Sequence, residues 1–198
     1  LLFIQPIFMA SNLIIARGAV NIVPPISLAF WRWIFCFLLL LPFTIKLISS
    51  NFKFIKKEFL NLIILGTLSC GVCGAFPFLA GKTTTVVNMG IIYSSSPIFI
   101  IIISVIIFNE KINIFRVSGT FLCLFGVLTV IAKGNILNLL NIKFNLGDFW
   151  MLGASIGWAI YSIYLFYKKS NLNILLRFNL IAFFTVFHQK DGLILSKF

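Results

Sequence analysis

Acidic side chains are scarce in this sequence: four Asp and Glu stand against sixteen Lys and Arg in 198 residues, with one histidine and four cysteines. Each scarcity excludes something. His188 lies at the end of the last apolar run, so no histidine-based triad or metal cluster can be assembled. Glu58, Glu110 and Asp148 sit at the edges of apolar runs and Asp191 in the tail, so every long apolar run is without a carboxylate. Cys36, Cys70, Cys73 and Cys123 all fall inside apolar stretches, which implies no disulfide framework. Cys70-Gly-Val-Cys73 has the CxxC spacing but neither a second ligand pair nor a nearby histidine, and the redox and metal readings are set aside. Gly81-Lys82-Thr83 ends like a P-loop, yet the required first glycine would fall at Phe76. No cofactor, metal or catalytic group is expected, and the chain is not read as an enzyme.

What is present is apolar. Hydrophobic residues make up 61% of the chain and charged ones 10%, with mean hydropathy +1.10; ordinary soluble domains are about 45 to 50% apolar and about 25% charged. A soluble fold could not hide this much Phe, Ile and Leu, so the partner of most of the surface is the lipid bilayer. A net charge of +12 would suggest nucleic acid in a soluble protein. Here the basic residues are thinly spread, and no nucleic-acid partner is expected. The first residue is Leu and no charged leader with a cleavage site precedes the first apolar run, so the chain is read as a fragment.

A helix crossing a ~30 Å hydrocarbon core needs about 20 mostly apolar residues. Six runs qualify: 1–16, 26–45, 59–81, 88–108, 114–132 and 149–167. A seventh, 172–187, is interrupted by Arg177 and stopped by His188-Gln-Lys-Asp191, and its crossing stays open. The runs are long and continuous rather than alternating, which favours helices over a barrel. The expectation is an all-α membrane protein, a polytopic bundle of six to seven transmembrane helices.

Basic residues orient it. The even-numbered connections hold nine (Lys46, Lys53, Lys56, Lys57, Lys111, Arg116, Lys168, Lys169, Arg177), and the odd-numbered ones hold Arg17, Lys82, Lys133 and Lys143. The positive-inside rule then puts the amino terminus in the cytoplasm.

Polar groups at membrane depth are the clearest pointers to a pathway. Gln5 and Asn12 are seven apart, hence on one helix face, and Asn88 and Ser95 repeat the spacing beside Tyr93. Trp158, Tyr161 and Ser162 share a face of the sixth run. Such residues either line a cavity or hydrogen-bond between helices, and the aromatics either line it or face lipid. Arg32 costs ~2.5 to 3.5 kcal/mol at a helix centre, so it either snorkels to the interface or turns into a watery cavity. In a cavity, its planar fork of donors would favour a carboxylate or phosphate. The candidate substrate-binding set is Gln5, Asn12, Arg32, Asn88, Tyr93, Ser95, Trp158 and Tyr161.

Pro97 removes the donor that would meet the Tyr93 carbonyl, and Pro77 does the same to Cys73. Kinks are expected at both, with the Ser94, Ser95 and Ser96 hydroxyls or a ligand taking the freed acceptor. Small residues at four-residue steps (Gly66, Cys70, Gly74; Gly119, Cys123; Gly153, Gly157) predict close helix contacts.

Three stretches resemble a family. Ser11-Asn-Leu-Ile-Ile-Ala-Arg17 with Pro24-Pro-Ile-Ser-Leu-Ala-Phe-Trp-Arg32 is similar to the end of helix one, the Pro-containing turn and the Arg-bearing helix two of EamA-type members of the drug/metabolite transporter superfamily. Thr84-Thr-Val-Val-Asn-Met-Gly-Ile-Ile-Tyr-Ser-Ser-Ser-Pro97 resembles its helix four, and Asn109-Glu-Lys111 with Gly119 and Gly126 its acidic turn. Gly147-Asp-Phe-Trp150 through Trp158-Ala-Ile-Tyr161 resembles the opening of a second repeat.

The resemblance implies ten helices in two inverted five-helix repeats around a cavity, cytoplasmic termini, and movement of small metabolites. On that pattern residues 1–133 form the first repeat, 134–148 an interfacial connection, and 149–198 the start of a truncated second repeat. After Phe187 the string His188-Gln-Lys-Asp-Gly-Leu-Ile-Leu-Ser-Lys-Phe198 departs from the family's helix seven. The expected function is transport of small organic metabolites, amino acids or related anions, by alternating access in the inner or plasma membrane. The rival is a non-transporting, truncated or degenerate membrane fragment. Pairing in a homodimer, or with a missing half, would complete the cavity wall.

Overall fold

Backbone is described for residues 4–19, 22–111, 113–132 and 145–195 of a computed structural model, and side chains for these apart from 4–6, 70, 71, 127, 130–132 and 188–195. The connection expected over 134–148 lies outside the described residues as far as 144. The described residues form helices and no strand. In chain order they are α1 (Ile4–Gly18), α2 (Pro25–Ser50), α3 (Phe52–Gly66), a π-helical turn (Thr67–Val72), α4 (Cys73–Ala80), α5 (Val86–Ser94), α6 (Ser96–Phe108), α7 (Ile114–Ala132), α8 (Leu146–Tyr167) and α9 (Ile174–Leu195).

These make seven rods. Pro25–Ser50, Phe52–Ala80, Val86–Phe108 and Leu146–Tyr167 are long and apolar enough to cross a membrane, while Ile7–Gly18, Ile114–Gly126 and Ile174–Phe187 are shorter apolar helices. The chain is a multi-pass, all-α membrane protein. Helices two and three outrun their apolar stretches, because the α-helical hydrogen-bond pattern continues through Lys46 and through Lys53-Phe-Ile-Lys-Lys-Glu58. Lysine stems can lie along an apolar surface while their ammonium groups reach water. On α3 the buried Ile55, Leu62, Leu65 and Gly66 fall on one face.

Two buried clusters hold the rods together. Near one end, Ile55, Leu62 and Leu65 of α3 meet Leu172, Leu176, Leu180 and Ile181 on and before α9. Near the other, Ala16, Ala29, Phe78, Ala80, Met89, Met151 and Ala154 bring α1, α2, α4, α5 and α8 together. The rod α8 touches α4, α5, α6 and the π turn, and α9 lies along α2 and α3.

Close approach is real where the small residues meet these neighbours. A Cβ on Gly157 would stand 2.7 Å from Val72 Cγ1, and one on Gly153 3.0 Å from the Phe76 ring. One on Gly66 would meet Phe184 Cβ at 3.0 Å. The expected contact at Gly119 is not formed: nothing lies within 4 Å of its Cβ position, because α7 packs only lightly on α5 and α6.

The carboxylates fasten the ends. Asp148 is buried at the start of α8, where it accepts from the Thr84 hydroxyl and from the Asn145 N–H at 2.7 Å, closing a capping box. At the same end Arg17 donates to the carbonyls of Gly81 and Lys82. At the opposite end Glu58 accepts from Ser170 Oγ at 2.5 Å and from the Asn171 N–H at 3.2 Å, while Glu110 accepts from the Tyr167 hydroxyl. Odd and even connections therefore gather at opposite ends, as antiparallel rods require.

Candidate functional site

A cavity of about 430 Å³ opens between the two buried clusters. Met9 and Asn12 of α1 and Arg32, Trp33 and Cys36 of α2 form one side. Ser69, Cys73 and Gly74 of rod three, Tyr93 of α5, Trp158 and Tyr161 of α8 and Phe178 of α9 form the rest.

Arg32 carries the positive charge of this lining, and no described lining residue is acidic. Its half-buried guanidinium donates through Nη1 to Asn12 Oδ1 at 2.6 Å and through Nη2 to the Gly74 carbonyl at 3.5 Å. It also lies 5.1 Å from the centre of the Trp33 ring and 4.9 Å from that of Phe78. Ring faces stabilise a cation by ~0.5 to 2 kcal/mol without cancelling its charge. Arg32 therefore turns inward rather than snorkelling to an interface.

Much of the remaining lining is aromatic. Tyr93 and Trp158 rings are 6.4 Å apart and Trp158 and Tyr161 rings 5.4 Å apart, while Trp33 and Phe178 meet edge to face at 6.3 Å. The site thus joins one cationic pole to flat, weakly polar surfaces.

Of the residues singled out from sequence, Asn12, Arg32, Tyr93, Trp158 and Tyr161 come together on this lining. The side chain of Gln5 lies outside the described residues. Asn88 and Ser95 stand off the lining: the Asn88 N–H donates to Thr85 Oγ1 as part of the α5 cap, and Ser95 Oγ donates to the Ile92 carbonyl at 2.6 Å. At ~100° per residue, Asn88 points about 140° away from Tyr93. Ser95 is where α5 ends and α6 begins, so the seven-residue spacing does not carry across.

That break answers the question of the freed acceptor. Ser96 Oγ donates to the Tyr93 carbonyl at 2.6 Å, so a hydroxyl of the chain takes the place of the missing Pro97 donor. Ser155 of α8, fully buried, donates to the Ile92 carbonyl at 2.7 Å and lies 3.2 Å from Ser96 Oγ, tying the joint to α8. In rod three the irregularity takes the form of the π turn before α4, where the Cys73 N–H reaches back to the Leu68 carbonyl. Cys73 Sγ contacts the Ala154 carbonyl at 3.5 Å; the Cys70 side chain lies outside the described residues.

Sequence reasoning missed Met9, Trp33, Cys36, Ser69, Cys73, Gly74 and Phe178. Met9 and Cys36 lie one turn from Asn12 and Arg32, a spacing that was available as a signal. Phe178 had none, being one of 24 phenylalanines.

No solved structure matches the chain. A curated relative, the "Uncharacterized transporter YyaM" of Bacillus subtilis (strain 168), is 28% identical over 160 residues, covering 79% of this chain and 52% of the relative. The chain thus spans about half of that relative's length. The model of the EamA-like transporter family matches residues 1–132, from the first helix through the cavity's α1, α2, α4 and α5 walls to α7, and the chain belongs to that family.

Proposed function

We propose that the chain forms the substrate cavity of a membrane carrier for small organic metabolites bearing an anionic group, amino acids or related anions, moved by alternating access. No covalent chemistry is involved. The single observation that supports this most is Arg32, facing a cavity of about 430 Å³ whose described lining holds no acidic side chain. A cation held at membrane depth is expensive, and an anionic substrate shares that cost. The aromatic wall would cover the substrate's carbon skeleton, and the α5/α6 joint beside Tyr93 supplies a place to bend.

In this reading residues 1–133 are a first five-helix repeat and 149–198 the start of a second, with the amino terminus and the Lys56 and Lys168 end cytoplasmic in the inner membrane. The test is uptake of labelled amino acids and organic anions into proteoliposomes holding the 198-residue chain, alone and with a completed second half. Flux abolished by Arg32→Gln supports the reading, and no flux in either form overturns it. The alternative, a non-transporting membrane fragment, is favoured by the half-length coverage of the relative. It predicts aggregation or clearance of the membrane-expressed chain.

A further inference from the structure

The helix α7 stands apart from the bundle. Between it and α6 runs a cleft of about 480 Å³, and a smaller apolar one of about 170 Å³ lies on the other side of the same seam. The larger cleft has apolar walls, with Ile100, Ile101 and Val105 on α6 and Val117 and Cys123 on α7. It follows α6 from Pro97 to Val105, about 12 Å of helix at 1.5 Å per residue. Gly119 lines the α7 wall, with no heavy atom within 4 Å of its Cβ position.

One mouth of this cleft is polar and basic. Lys111 is exposed there, and Arg116, its side chain 70% exposed, sits 3.6 Å from Glu110. Glu110 is also engaged by the Tyr167 hydroxyl. Two cations against one carboxylate leave the mouth net positive. The same end of the bundle carries Lys56, Lys57, Lys168 and Lys169, because Glu58 bonds Ser170 there.

We propose that the α6–α7 cleft binds an anionic phospholipid, with an acyl chain along the apolar walls and the phosphate against Lys111 and Arg116. In hydrocarbon no hydrophobic drive closes such a gap, since lipid tails are as apolar as the walls. An unfilled gap forfeits the dispersion contacts of its lining, which a flexible acyl chain restores. Charge selects the lipid: basic pockets between transmembrane helices on the cytoplasmic side suit anionic headgroups. The site is separate from the central cavity and does not depend on what that cavity carries.

The experiment uses the whole chain in nanodiscs of equal phosphatidylglycerol and phosphatidylcholine, followed by native mass spectrometry of retained lipid. Phosphatidylglycerol is expected to be retained in excess, with that excess falling about fivefold for each of Lys111→Gln and Arg116→Gln. Gly119→Phe, whose Cβ has open space and whose ring would occupy the cleft, is expected to abolish retention while helical content stays unchanged. Equal retention of both lipids overturns the proposal, as does unchanged retention in both charge variants. A lipid-free dimer that Gly119→Phe dissociates overturns it too, assigning the cleft to a second copy. If Gly119→Phe does not fold, the two exposed charge variants decide the matter alone.

Discussion

Arg32 Nη1 and Asn12 Oδ1 are 2.6 Å apart, a charge-assisted hydrogen bond that joins α2 to α1 in the wall of the central cavity. Hydrogen bonds to charged groups contribute ~1.5 to 3 kcal/mol, and removing one partner leaves the other to be desolvated alone. Asn12→Leu should therefore lower stability by about 1 to 3 kcal/mol, read as thermal unfolding in detergent. Arg32→Gln should unfold less readily than Asn12→Leu while losing at least ~10-fold in transport of an anionic substrate. Equal transport by both variants and the parent would remove Arg32 from the substrate path.

Ser155 to Ile92 tests the joint. Ser155→Ala deletes the hydroxyl that meets the Ile92 carbonyl at 2.7 Å and faces Ser96 at 3.2 Å. Hydrogen bonds within membrane proteins average ~0.6 kcal/mol and reach ~1.7. A loss near the average is expected, because the Ile92 carbonyl still accepts from the Ser95 hydroxyl. Ser162→Ala, on the same helix, serves as the reference, and equal melting of the two variants would mean that Ser155 ties nothing.

Gly157 and Gly126 should behave oppositely. A side chain at Gly157 runs into Val72, whereas nothing lies within 4 Å of a Cβ at Gly126. Gly157→Val is expected to destabilise by about 1 to 3 kcal/mol through overpacking. Gly126→Ala should stay within ~0.5 kcal/mol of the parent or gain slightly. The comparison is made by unfolding both in the same detergent.

Glu58 bound to Ser170 and Asn171 requires Lys56 and Lys168 to emerge on the same side of the bilayer. Single-cysteine variants at these two positions should react together with an impermeant thiol reagent applied to one side of the membrane. Labelling from opposite sides would be incompatible with the antiparallel rods.

Much of this was legible wherever a rod runs unbroken. Asn12, Arg32, Trp158 and Tyr161 were singled out by polarity at membrane depth or by a shared helix face, with cavity lining as one of two readings, and the structure puts all four on one cavity. Asn88 and Ser95 were paired by their own seven-residue spacing, but Asn88 lies about 140° around α5 from Tyr93, and Ser95 falls where α5 ends and α6 begins. The helical turns around Lys53, Lys56 and Lys57 were read as a connection because a hydropathy run stops where charge begins, while backbone hydrogen bonding does not. Phe178 and Cys73 could not be found, because an apolar side chain in a lipid-soluble protein looks the same whether it meets solvent, cavity or tail. Gly119 was read as a contact from its spacing, but spacing does not say whether a neighbour arrives.

The serine joint between α5 and α6 divides the rod into unequal arms. The arm beyond it, 13 residues from Ser96 to Phe108, reaches about 20 Å, so a swing of roughly 10° would displace its tip by ~3 Å while Tyr93, next to the pivot, scarcely shifts. Small adjustments around the aromatic wall would thus be magnified at the far end of the rod, where Phe108 stacks on Tyr167 at 3.7 Å and would register them first.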